Sequence, residues 1–140
     1  MSNPAYADTL AIEYLKSKGV PVVRDGWRVL AWGCVRISVR YSTERQYKTC
    51  FRWSLPHRML AQLVMLIMDN DEQMRFFLFD ADDAVFYHND GRLKQNLTFY
   101  DGRDEQRKHE EYYEALTSDL MDVAEDRLEL IEQKRLEFVR

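Results

Sequence analysis

Apolar side chains recur every three or four positions at the start of the chain. Tyr6, Leu10 and Tyr14 fall on one line, with Ala7, Ala11 and Leu15 beside them, which predicts a helix over Ala5–Lys18. Asn3-Pro4 supplies an N-cap and a proline at the first helical position. Gly19, followed by Pro21, marks the stop. The period then changes to two. Val20–Arg24 is short and β-branched, Asp25-Gly26 is a turn, and Trp27–Trp32 is a second strand that ends at Gly33. Cys34–Ser42 alternates, with Val35, Ile37 and Val39 on one face and Arg36, Ser38 and Arg40 on the other. That is a strand with one buried face. Thr49–Leu55 reads as a short aromatic strand. Leu63–Met68 is continuously apolar, as in an element buried on both sides.

The second half carries weaker signals. Arg75–Phe79 and Ala84–His88 read as strands around the acidic turn Asp80–Asp83, and Asn89-Asp90-Gly91 is a turn. Leu93–Tyr100 is a short strand or a loop. From Asp101 the pattern is helical: Glu105–Leu116 has high helix propensity. Leu120, Ala124, Leu128 and Ile131 then form an apolar stripe on a helix expected from about Thr117 to Phe138, roughly 30 Å long at 1.5 Å per residue. Such a helix would pack on the sheet, on a second copy or on a larger partner. The elements predict an α+β (α/β) fold: a mixed sheet of five or six strands, an N-terminal helix and a helical C-terminal region. No repeat, low-complexity segment or interdomain linker is visible.

Size and composition narrow the class. The chain has 140 residues, 46% apolar and 31% charged, enough for one domain with a core. Residues 1–100 form the expected α/β core and residues 101–140 a helical extension of it. Two cysteines make no disulfide framework and suit a reducing compartment. The longest apolar stretch, Met59–Met68, is ten residues and includes Gln62, half the length that a membrane span needs. A soluble, cytoplasmic protein is expected, with no membrane partner.

Charge is divided along the chain. The net charge is −4, but residues 15–60 carry ten bases against two acids and residues 61–140 carry ten bases against twenty acids. A basic half suits an anionic partner, most commonly nucleic acid. Arg24, Arg28, Arg36, Arg40, Arg45, Lys48 and Arg52 all fall on or beside the early strands. Guanidinium matches phosphate through paired hydrogen bonds. Trp27, Tyr41, Tyr47 and Trp53 interleave as possible stacking surfaces for bases. The competing reading is a solvated face that pairs with the acidic C-terminal half.

Other chemistry is poorly supported. Asp80, Asp82, Asp83, His88 and Asp90 lack the spacing of a calcium loop. Cys34 and Cys50 have no neighbours at zinc-ligand spacing. A Cys–His nucleophile pair with His57, His88 or His109 has no sequence signature. No glycine-rich phosphate loop occurs.

The segments Leu10–Val23 (LAIEYLKSKGVPVV), Trp27–Thr43 (WRVLAWGCVRISVRYST), Phe51–Leu55, Leu63–Met68 and Arg75–Leu93, in that order, resemble the core of the PD-(D/E)xK, or restriction-endonuclease-like, superfamily. The resemblance covers about residues 5–95. It implies a restriction-endonuclease-like sheet, a glutamate on the first helix (Glu13), an acid at the start of one central strand and an acid-or-Gln-x-Lys triplet on the next. At the last two sites this chain has Arg28, and Ser38 with Arg40. Carboxylates hold magnesium in such nucleases; arginine repels it. The resemblance therefore implies a degenerate member with no catalytic residues, no metal and no cofactor, of a kind found in mobile elements, phage and defence systems. Its partner would be nucleic acid, DNA rather than RNA, or a nucleic-acid-handling complex, with a homodimer through the C-terminal helix as a further expectation. A shifted register would make Asp25 the acid of a metal-dependent endonuclease. A third reading is an acidic interaction or inhibitor protein acting through Glu110, Glu111 and Glu114.

Overall fold

The computed structural model describes residues 4–26, 28–43, 50–54, 60–69, 72–82, 96–100, 115–116 and 122–138. Helix α1 (Pro4–Ser17) leads into strands β1 (Val22–Asp25), β2 (Arg28–Ala31) and β3 (Val35–Thr43). After these come β4 (Cys50–Ser54), β5 (Leu63–Asp69), β6 (Met74–Asp80), β7 (Asn96–Tyr100) and β8 (Ala115–Leu116). Helix α2 (Glu129–Phe138) follows. Five strands form one mixed sheet in the order β1-β2-β3-β5-β6, and β4-β7-β8 form a second. The five-stranded sheet and the two terminal helices are those the sequence pattern predicts. The second sheet is not, because nothing in the local pattern of Thr49–Leu55 or Leu93–Tyr100 says which strands they pair with.

Local chemistry explains the joints. Helix α1 ends as its spacing predicts. Gly19 adopts φ 80°, and the Val20 and Gly19 amides donate to the Leu15 and Lys16 carbonyls, each at 3.0 Å. This double bond pattern is a Schellman cap. The β1–β2 hairpin closes on the pair Asp25↔Arg28, with Gly26 at φ 62°. The next turn has three residues, between Ala31 and Val35. Trp32 and Gly33 both have positive φ, 56° and 71°, so a bulky residue sits in a region that favours glycine. Compensation comes from the Trp32 amide, which donates to Pro21 at 2.7 Å. The Arg135 guanidinium also lies 3.9 Å from the indole centroid.

Packing follows from the alternation. The face holding Val29, Ala31, Val35, Ile37, Met65 and Leu78 meets Ala11, Tyr14 and Leu15 of α1 and Leu130 and Ile131 of α2. Strand β5 is an interior strand between β3 and the edge strand β6, parallel to the first and antiparallel to the second. All six residues from Leu63 to Met68 are buried, so the unbroken apolar run does signal burial on both sides. Each fully buried aliphatic side chain contributes roughly 1.5–3 kcal/mol, which makes β5 the strongest single contributor to the core. Gln62, the polar break just before it, is a junction. Its side-chain oxygen accepts from the Arg36 amide, its own amide donates to the Arg36 carbonyl and its carbonyl accepts from Ala81, all at 3.0 Å.

The C-terminal half departs from expectation. Ala115–Leu116 is a strand paired in parallel with Thr98–Phe99, so strand pairing overrides helix propensity there. The single long helix from Thr117 is also not formed. Asp126 adopts φ 53°, its amide donates to Phe76 at 2.9 Å, and Glu125 bridges to Phe77 on β6. This backbone pairing ends one helical turn and starts α2 only at Glu129. The stripe packs on the chain's own sheet, with Ala124, Leu130 and Ile131 buried. The expected strand Ala84–His88 and most of Glu105–Leu116 lie outside the described residues. Among the described residues no helix is long and apolar enough to cross a membrane.

Candidate anion-binding site

Strand register decides which arginines share a face. Arg28 pairs with Asp25, and Arg36 with Leu30. Ser38 and Arg40 alternate with Arg36 along β3, so Arg28, Arg36, Ser38 and Arg40 stand on one side of the sheet. That is the arrangement expected from the alternating strand. Arg24 is different. It pairs with Val29, a core residue on the helix side, and its guanidinium lies 3.6 Å from Asp8 of α1. The expected single row of guanidiniums is therefore split across the β1–β2 hairpin tip. Nor is the arginine face solvated throughout. On the same side Val64, Leu66, Met68, Phe77 and Phe79 are buried, and β4 lies against β3. Among the described residues, polar side chains on this face lie on β2 and β3 and, across the buried apolar stretch, at Arg75 of β6. Arg45 and Lys48, and the side chain of Arg52, lie outside the described residues, as do Trp27 and Tyr47 and the Trp53 side chain.

Electrostatics single out Arg40. Its guanidinium is half-buried, and among the described residues its Nε atom is buried with no hydrogen-bond partner. Burial pushes its pKa down, and the charge of Asp8 only partly restores it. Strand β2 is bonded to β3 only over Val35–Ile37, so at Arg40 the β2 side of β3 has no partner from β2. Asp8 and Arg40 influence each other there. Burial raises the Asp8 carboxyl above the usual carboxylate range, and Arg24 and then Arg40 oppose that rise. At the turn itself Arg28 sits 3.9 Å from Asp25, both well exposed. Exposed pairs of this kind hold each other weakly, about 0–1 kcal/mol. Arg24, Arg28, Arg36 and Arg40 thus gather around this end of the sheet together with Asp8 and Asp25.

Helix geometry explains an acid that sequence reasoning missed. Glu13 is on the outer, exposed side of α1 with Thr9, Lys16 and Ser17. Asp8 is three and seven residues before the buried Ala11 and Leu15, on the side turned to the sheet. The spacing of Asp8 from those apolar positions was the available signal.

Magnesium takes oxygen ligands in near-octahedral geometry. The strand positions where the restriction-endonuclease-like resemblance would put acids carry Arg28, Ser38 and Arg40. Among the described residues no three His, Cys, Asp or Glu side chains gather closely enough to hold a metal. Asp80 and Asp82 are otherwise engaged: Asp80 holds Lys134 at 2.6 Å and accepts from the Asp82 amide at 3.0 Å. Asp83, His88, Asp90, His57, His109, Glu110, Glu111 and Glu114 lie outside the described residues. Cys34 is a free, half-buried thiol packed against the core.

This architecture belongs to the nuclease-like α+β class. The chain is similar to a solved bacterial homing endonuclease, I-Ssp6803I, with a TM-score of 0.61 over 96% of this chain and 92% of that one. Identity is 13%, so the likeness is one of fold. No protein-family model and no curated protein sequence matches the chain. The likeness supports a nuclease-like fold and not an assignment to the PD-(D/E)xK superfamily.

Proposed function

We propose that the protein is a non-catalytic nucleic-acid-binding module on a nuclease-like fold, with DNA the preferred ligand. The observation that carries this reading is the shared face of Arg28, Arg36 and Arg40, where Arg40 has a buried, unsatisfied donor. A guanidinium with an open donor gains a charge-assisted hydrogen bond from a phosphate oxygen. Ser38, between Arg36 and Arg40, adds a hydroxyl donor. The fold supports the choice of anion, since its structural neighbour is an endonuclease.

Mobility shifts of labelled DNA and RNA of equal length test it. DNA should be retained with a steep loss on added salt, because bound phosphates release counterions. Magnesium should produce no cleavage. Cleavage in magnesium, lost in Asp8→Ala or Asp25→Ala, would establish the metal-dependent endonuclease instead. Retention of a basic protein with no retention of either nucleic acid would favour the acidic inhibitor reading.

A further inference from the structure

Arg24 and Arg40 begin on opposite faces of the sheet, yet both act on one carboxylate. Asp8 is 3.6 Å from Arg24, and its charge is the one that offsets the burial of Arg40. Its side chain is only 14% exposed, so water screens this carboxylate poorly. Burial still outweighs both arginines in setting its protonation. Asp8 is therefore a counterion imperfectly matched to its site: it is in contact with Arg24 and its charge opposes the effect of burial on Arg40, but it does not satisfy Arg40 Nε.

We propose that Asp8 is an internal stand-in for phosphate that sets the affinity of the hairpin-tip site for phosphodiester anions. This rests on the nucleic-acid reading above and deepens it. An arriving phosphate meets guanidiniums already partly neutralised, and it is repelled by the carboxylate held against Arg24. It must compete with the Arg24–Asp8 contact. Selectivity follows: a monoanionic or weakly held ligand does not compete with a built-in carboxylate, whereas a polyanion held elsewhere by Arg28 and Arg36 does.

Fluorescence anisotropy with a labelled DNA duplex, at about 50 mM salt where phosphate contacts are strong, tests this through Asp8→Asn. The variant should bind about three- to tenfold more tightly. Glu13→Gln makes the same change in net charge on the solvent side of the same helix, and should change affinity less than about twofold. In an Arg40→Gln background the effect of Asp8→Asn should shrink towards none. Unchanged or weaker binding by a folded Asp8→Asn, or equal tightening by Glu13→Gln, overturns the proposal and leaves the nucleic-acid reading standing. A second readout needs no mutation and no nucleic acid. Inorganic pyrophosphate titrated into the wild-type chain should move the Asp8 Cγ and Arg40 Nε resonances together. That result supports the role of Asp8 even if DNA and RNA fail to bind, which would overturn only the nucleic-acid reading. Silence of both resonances overturns the proposal.

Discussion

Arg75 and Arg40 belong to the same sheet and stand in opposite electrostatic circumstances. Arg75 lies on β6, at one margin. Its Nε donates to Glu125 at 2.5 Å, and its Nη2 donates to Glu125 at 3.0 Å and to Asp122 at 3.3 Å. Its guanidinium also lies 5.0 Å from the Phe77 ring. The Glu125 hydrogen bond raises its pKa. Arg40, on the middle strand β3, has a buried Nε with no hydrogen-bond partner among the described residues, and burial lowers its pKa. One arginine is saturated by acids from the C-terminal segment and serves the fold. The other is left with unsatisfied capacity beside the hairpin tip. A buried donor is costly to leave unsatisfied, so the contrast separates an arginine whose hydrogen bonds are met within the fold from one whose Nε has no partner among the described residues.

The largest effect should come from removing the unsaturated side. Arg28→Glu combined with Arg40→Gln should weaken DNA binding by about a hundredfold, read by anisotropy, with the melting temperature nearly kept. Removing the saturated side should do the reverse. Arg75→Met strips charge-assisted hydrogen bonds from Glu125 and Asp122, and should lose about 1.5–3 kcal/mol in urea unfolding while changing DNA affinity by less than about twofold. If Arg75→Met and Arg40→Gln moved both quantities alike, the contrast would be void.

Tyr14 sharpens the same comparison on the structural side. Its hydroxyl donates to Asp126 at the left-handed turn before α2, and its ring stacks on Phe76 at 4.0 Å. Burial and that bond hold the phenol far above its usual range. Tyr14→Phe should lower stability by about 1 kcal/mol and leave binding unchanged. The smallest effect belongs to Asp8. Because its folded pKa is raised, its contribution to stability is fully present below the unfolded pKa and lost as pH rises through the folded one. Asp8→Asn should therefore gain stability over the wild type as pH rises through the carboxylate range, by no more than about 1 kcal/mol. Thermal melts at a series of pH values measure it, and a gain that grows as pH falls would have the wrong sign.

Legibility in the sequence followed the range of the interaction. Helix α1, the alternation of β3 and the two-sided burial of β5 are local patterns, and the chain displays them at the expected residues. The break before α2 was not visible, because Asp126 owes its conformation to Phe76 and Tyr14, both distant in sequence. The same holds for Arg75. Nothing near it announces that Asp122 and Glu125 will claim it, whereas Arg40 stays without a hydrogen bond to Nε. Pairing of β1 with β2 placed Arg24 on the helix side, a one-residue parity that composition does not contain. Asp8 was legible from its spacing to Ala11 and Leu15, and only the folded chain shows why that mattered.

The account stands on the arginines of the hairpin tip and β3 acting as phosphate ligands without a metal. The direct measurement is DNA retention across a salt series, with and without magnesium, scored for both binding and strand scission. The account predicts intact DNA and a log–log salt slope of about −3, as three phosphate contacts give, that becomes shallower in Arg40→Gln. Scission in magnesium, or no retention even at low salt, would contradict it.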